Sequence, residues 1–213
     1  MRRHIEGPHP NALEAASEHA GYRFAPLGHE LPELGNAGFI ALGFVADIEA
    51  EHLAGPMEQF RLVVDVNLIA PVYWALEMIG RIAEQRAASA KKRWVPDEGI
   101  QGSVVFIGSI SSQGNRGQIS YASTKAGLEG AAATIMKEAM YYGVRCSVIH
   151  PGFTDTPMVR AMGDDYVAKN ILPFTQLGRL IRPDEIADAI CFMLANAAVS
   201  GELWVDAGWH APA

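Results

Sequence analysis

The sequence predicts an α/β fold, a doubly wound parallel sheet with helices on both faces, and three observations carry that prediction. Two short runs, "SVVFIG" and "GVRCSVIH", are apolar almost throughout instead of alternating, as strands covered on both faces are. Longer segments with apolar residues at three-to-four spacing lie between and around them. The resulting order of strand, helix, strand, helix, strand calls for crossover connections, which lay helices over a parallel sheet.

A chain of 213 residues, 49% hydrophobic and 19% charged, is long enough to bury one full core and has the composition of a soluble globular protein. One domain over residues 1–213 is therefore expected, with 1–35 as its atypical segment. The net charge of −7 argues against nucleic acid or an anionic membrane as a bulk partner. The basic run from Lys91 to Trp94 reads as a solvated helix end. No apolar run reaches the roughly 18 residues of a membrane span, and the start "MRRHIEGPHP" has no apolar signal core. The expected location is the cytoplasm, with no membrane partner. Cys146 and Cys191 sit far apart in apolar stretches and read as two buried free thiols. No Cys and His fall at metal-ligand spacing, so no metal is expected.

Taken in order, residues 1–35 are the least organised. "NALEAASEHA" suits a short helix capped by Asn11, and "YRFAPL" a short strand. "GFIALGFV" is an apolar run ended by acidic residues from Asp47 to Glu51. The segment from Pro56 to Lys92 reads as a long helix broken near Asn67 to Pro71, because proline removes an amide donor. A polar linker leads to the "SVVFIG" strand. Ser109 to Ser120 is a polar loop, and Tyr121 to Tyr142 a helix rich in Ala, Gly and Met. "GVRCSVIH" is a strand stopped by Pro151-Gly152. After a loop with short helical pieces, "RPDEIADAICFMLANA" is a helix with Pro183 in its first turn, its dipole favoured by Asp184 and Glu185. "GELWVDAGW" is the last strand.

Ligands bind such sheets at the carboxyl ends of the strands. Ser109 to Ser112 and Pro151 to Thr156 both follow carboxyl ends, which assembles a candidate site by position alone. Tyr121 and Lys125 lie four residues apart, on one helix face. By itself such a pair is either surface decoration or a proton donor beside a tuning cation. A phenol with a pKa near 10 exchanges protons poorly at neutral pH, and a neighbouring ammonium lowers that value.

Six pieces, "NAGF", "VDVNL", "IGSISS", "YASTK", "HPGFTDTPM" and "GRLIRPDEIADAICFML", stand in one order before the closing "SGELWVDAGW". Together, over roughly residues 36 to 210, they resemble the short-chain dehydrogenase/reductase family and within it the 3-oxoacyl-carrier-protein-reductase-like members. The resemblance implies a Rossmann-like sheet and an NAD- or NADP-dependent oxidoreductase interconverting a ketone and a secondary alcohol. It implies Tyr121 as general acid/base, Lys125 as its electrostatic partner and ligand of the nicotinamide ribose, and Ser109 as the group orienting the substrate oxygen. Counting back from Tyr121 lands on Gly108 instead, so a one-residue loop deletion is invoked, with Ser111 as the fallback. Asn67 matches the asparagine whose backbone holds a water linking the lysine to solvent. Asn36, Ala37, Gly38, Pro151, Gly152, Thr154 and Thr156 match cofactor-binding positions. The segment from Pro157 to Leu177, with Met158, Val159, Met162, Tyr166, Ile171 and Phe174, resembles the substrate lid. Family members assemble as oligomers, so a homodimer or homotetramer is expected.

The resemblance stops short at the amino end. The Gly-rich turn T-G-x-x-x-G-x-G, which brings a pyrophosphate against helix-start amides, has no counterpart. Gly35 stands where the family has an asparagine, and Gly28 where it has an acidic residue. The first two strands, that turn and much of the fourth strand are expected to be missing or replaced, and preference between NAD and NADP is not legible. A second reading follows: a catalytically inactive remnant that assembles with a full-length relative.

Overall fold

The computed structural model describes residues 38–42 and 55–209. The expected helix and strand within residues 1–35, the acidic cluster at 47–51, and the candidates Asn36 and Ala37 lie outside the described residues. The chain divides into two units, Met1–Glu33 and Leu34–Ala213, and every element below belongs to the second.

Four strands form one parallel sheet: β1 (Gly38–Leu42), β2 (Gly102–Ile107), β3 (Val144–Pro151) and β4 (Gly201–Val205), in spatial order β1-β2-β3-β4. The place beside β2, expected to be largely vacant, is filled by the apolar run "GFIAL". Its register sets Gly38 opposite Gly102 and Leu42 opposite Phe106.

Six α-helices accompany these strands among the described residues: α1 (Pro56–Val64), α2 (Ala70–Ala88), α3 (Ile119–Ala139), α4 (Pro157–Arg160), α5 (Asp164–Asn170) and α6 (Pro183–Ala195). Where the sequence predicts a break, α1 and α2 are instead joined by a π-helical turn, Asp65–Ile69, in which the Ala70 amide donates to the Asp65 carbonyl. The cause is Pro71. It has no amide hydrogen for the carbonyl four residues earlier, that of Asn67, and widening the turn absorbs the mismatch.

Period-two alternation divides the sheet between two cores. Val104, Phe106, Val144, Cys146 and Val148 pack with Ala75 of α2 and with Leu128, Ala132, Ile135 and Ala139 of α3. Val105 and Ile149 pack on the other face with Met193 of α6. Full burial of a side chain such as Phe106 is worth roughly 1.5–3 kcal/mol.

Arg145 breaks the apolar pattern of β3 for a structural reason. Its guanidinium donates to the carbonyls of Met193, Leu194, Asn196 and Val199 and to Ser103 Oγ, each at 3.0 Å. A buried cation thereby satisfies the carbonyls that the end of α6 leaves without helical donors.

One expectation is corrected, and one helix shows a composition the sequence reading did not single out. Cys146 is buried but Cys191 only partly so, although both thiols are free. By length and composition, the continuous helix Pro56–Ala88 is apolar enough to cross a membrane, with a mean hydropathy of 1.6 over its best stretch. The sequence reading missed this because Asp65 and Glu77 interrupt the run.

Candidate active site

The carboxyl ends of β2 and β3 are adjacent, with Ile107 registered against Ile149. Ser109 leaves β2 and caps the 3₁₀ turn Ile110–Gln113, its Oγ accepting the Ser111 amide at 3.1 Å. The same hydroxyl faces the phenol of Tyr121, on the first turn of α3, closely enough to favour its ionised form. The fallback hydroxyl, that of Ser111, donates to Gln118 Oε1 at 3.0 Å and accepts from Asn115 at 3.3 Å. At Gly108 a Cβ would stand 2.5 Å from His150 Nδ1, so that position has no room for a side chain. Of the three loop positions, Ser109 is the one that joins Tyr121.

One turn further along α3, Lys125 is wholly buried. Its Nζ donates to the Ile107 carbonyl at 2.8 Å and lies 5.5 Å from the centre of the Tyr121 ring. Burial pulls its ammonium down from 10.5 to about 8, so the charged form still predominates at neutral pH. The phenol moves the other way. Burial raises Tyr121 above its usual value, and the neighbouring Ser109 hydroxyl opposes that rise. The expected lowering of the phenol by Lys125 is therefore not what sets it here, with the ammonium turned to a carbonyl on β2.

Asn67 is fully buried in the π-helical turn. Neither atom of its side-chain amide has a hydrogen-bond partner among the described residues. Pro151 ends β3, and the Gly152 amide donates to the Val205 carbonyl at 3.0 Å. A Cβ at Gly152 would lie 2.8 Å from the Asp206 Cα, so close packing of two backbones requires glycine there. Thr154 donates to the Gly152 carbonyl at 3.1 Å, and Thr156 caps α4 through the Val159 amide. Both hydroxyls serve their own turn.

The structure thus gathers Ser109, Tyr121 and Lys125 in one place, with Pro151 to Thr156 following the next strand. It does not bring Gly38 to them. That residue opens β1 opposite Gly102, at the amino end of the sheet, about 16 Å of strand rise from Ile107. The lid segment divides: Val159, Val167 and Ile171 bury one another, whereas Met162, Tyr166 and Leu177 are exposed. Two concavities of about 460 and 420 Å³ lie around Arg86 and Lys91. None of the gathered residues lines either, and the chemistry, not the volume, marks the site. Sequence reasoning gave no role to His150, which is fully buried and stacked on Trp204 with ring centres 4.1 Å apart. Its Nδ1 lies 3.3 Å from the Ser109 nitrogen and 3.2 Å from its carbonyl oxygen. No spacing in one segment could have signalled a contact between two strands' ends.

Comparison with known proteins identifies the family. A family profile described as enoyl-(acyl carrier protein) reductase matches residues 36–210. The acetoacetyl-CoA reductase of Synechocystis is 36% identical over 154 residues, 70% of this chain and 57% of that protein. The 3-oxoacyl-[acyl-carrier-protein] reductase of Escherichia coli is 39% identical over 113 residues, 51% of this chain and 46% of its own length. The chain therefore spans about half the length of these relatives. Among solved structures, the 3-hydroxyacyl-CoA dehydrogenase type-2 of Mycobacterium avium superposes with a TM-score of 0.67 at 24% identity, over 95% of this chain and 74% of that one; a 7α-hydroxysteroid dehydrogenase complexed with NADH superposes at 0.65 and 20%, over 82% and 63%. At these identities they speak for the fold alone. With the profile spanning most of its length, the chain belongs to the short-chain dehydrogenase/reductase family, on its 3-oxoacyl-reductase-like side.

Proposed function

We propose that this chain encodes an NAD(P)(H)-dependent oxidoreductase that interconverts a ketone and a secondary alcohol, with a 3-oxoacyl thioester as the ketone class. The observation that carries the reading is the meeting of Ser109, Tyr121 and a buried Lys125 whose Nζ lies 5.5 Å from the centre of the Tyr121 ring. The names of the curated relatives support the substrate class. Bound nicotinamide cofactor would supply or accept the hydride. Tyr121 delivers a proton to the carbonyl oxygen in reduction and removes it in oxidation. Ser109 fixes that oxygen beside the phenol, and placement of this kind lowers the barrier by removing the search for a reactive geometry. Lys125 keeps a positive charge near the phenol below about pH 8, favouring any negative charge that develops there. The Asn67 carbonyl, to which Pro71 cannot donate, suits a water that links Lys125 to solvent.

The described residues fit the nicotinamide end of the cofactor. Lys125 would hold the ribose, and Pro151 to Thr156 would flank the ring. No described residue is assigned to the pyrophosphate, and no Gly-rich strand-to-helix turn occurs among them. The test is incubation of purified protein with acetoacetyl-CoA and NADPH, then NADH, with loss of reduced nicotinamide as the readout. Turnover that disappears in Tyr121→Phe supports the reading, and turnover unchanged in that variant ends it.

A second reading has its own observation. Met57, Ile69, Tyr73, Trp74 and Leu76 on the joined helices α1 and α2 are 38–65% exposed, an apolar stripe of the kind buried in assemblies. It supports association, as a homo-oligomer or with a longer relative, and the same stripe accounts for the membrane-like composition of this helix. Protein that associates but neither binds NAD(P)H nor turns over would favour the inactive partner.

A further inference from the structure

We propose that Glu129, His150 and Glu202 hold a divalent transition-metal ion of the zinc type, behind the Ser109 loop. The three ligand atoms come from three elements. Glu129 stands on α3 one turn beyond Lys125, His150 near the end of β3, and Glu202 on β4 in register with Val148. His150 and Glu202 thus project from the same face of adjacent strands, and α3 packs over that face.

Geometry favours an ion between them. His150 Nε2 lies 3.5 Å from Glu202 Oε2 and 3.8 Å from Glu129 Oε1, and all three atoms fall within 4.8 Å of one another. Ligands about 2.1 Å from a tetrahedral zinc sit about 3.4 Å apart, so small rotations of two partly exposed carboxylates close the site. His150 Nε2 is buried and makes no hydrogen bond among the described residues. Its aim is toward the two carboxylates, and two anions gathered around one buried ring nitrogen favour a cation between them.

The ring is also held as a ligand should be. Trp204 stacks on it at an interplanar angle of 13°, and Gly108 presses on it with no side chain. Nδ1 lies 3.2 Å from the Ser109 carbonyl oxygen and 3.3 Å from the Ser109 amide, and an ion on Nε2 would select the tautomer that donates its Nδ1 proton to that carbonyl. A backbone carbonyl fixing the tautomer is the usual support for a metal-bound imidazole. One nitrogen and two carboxylate oxygens suit zinc or cobalt better than magnesium or calcium, which prefer oxygen alone. The sequence excluded a metal because it offers no local ligand spacing; here the sheet supplies the spacing.

Through His150 the ion would brace the backbone of Ser109, which makes its role positional. The site is independent of turnover, so its test does not require an active preparation. Untagged protein, freed of metal with a chelator, is titrated with Zn²⁺ and separately with Co²⁺, following calorimetry and the visible bands of tetrahedral cobalt. One equivalent is expected to bind at micromolar concentration or tighter, to raise the thermal midpoint, and to resist competition by excess Mg²⁺. Glu129→Gln with Glu202→Gln leaves the buried ring in place and is expected to weaken binding at least 100-fold and abolish the cobalt bands. His150→Gln provides a separate check on the nitrogen ligand. Absence of stoichiometric binding overturns the proposal, and so does binding that the double carboxylate variant leaves unchanged, because the ion would then sit elsewhere among the remaining histidines and thiols.

Discussion

The two ends of this sheet each bury a cation, and they treat it in opposite ways. At the amino end, Arg145 meets five acceptors, four of them carbonyls around the end of α6. Burial pulls its guanidinium down, but an arginine keeps its charge throughout any usable pH range. At the carboxyl end, Lys125 donates to the Ile107 carbonyl of β2, lies over the Tyr121 ring, and has its ammonium lowered to about 8. A permanent charge serves to fasten a helix to a strand. A charge that can be lost near neutrality belongs where protons move.

The sharpest test of this division is chemical. Tyr121→Phe removes the proton donor without changing the packing volume much, and an acid/base group of this kind contributes about 10³-fold. Turnover of a ketone substrate should fall by that factor, while the thermal midpoint stays within a few degrees. A phenylalanine variant that retained most of its rate would erase the contrast between the ends.

Lys125→Met should then separate charge from structure. The folded-state pKa lies below the ordinary 10.5, so the folded protein binds fewer protons than the unfolded chain between about 8 and 10.5. Stability from this group therefore rises with pH across that window, and the burial penalty, roughly 3 kcal/mol, is fully present below it. Lys125→Met is expected to be the more stable protein at pH 7, its advantage shrinking as the pH climbs past 8. Urea midpoints of both proteins at several pH values measure this, and an advantage independent of pH would refute it. The difference is needed because Cys146, whose thiol burial pushes up to about 12, works in the opposite direction above pH 9.

Arg145→Leu should show the other end to be purely structural. Leaving several buried carbonyls without donors costs about 2–3 kcal/mol, visible as a lower urea midpoint. The rate per folded molecule should be unchanged. A large loss of rate with full stability would mean that the amino end also serves the chemistry.

The smallest effects decide between the loop serines. Ser109→Ala should lower turnover about 10–100-fold, and Ser111→Ala, which removes only a contact with Gln118 and Asn115, less than about threefold. The reverse ranking would transfer the substrate-orienting role to Ser111.

Much of this was legible beforehand, and the reasons differ by element. Strands β2 and β3 announce themselves because a strand covered on both faces must be apolar throughout. Tyr121 and Lys125 were legible because a helix places residues four apart on one face. The break near Asn67 was half right. Proline's missing donor is readable, but whether the chain bends or widens into a π turn depends on what packs around it. β1 was not read as a strand, since an apolar run of five gives no hint of its neighbour.

By itself, then, the sequence determined the crossover fold, the two-sided core and the pairing of a phenol with an ammonium, because local periodicity and turn chemistry suffice for each. Only the tertiary structure decided that Ser109 and not Ser111 reaches Tyr121, that burial and not Lys125 governs the phenol, that Arg145 closes α6, and that Glu129, His150 and Glu202 converge. Each of those depends on distances between segments 12 to 73 residues apart in the chain, which close only when the sheet forms.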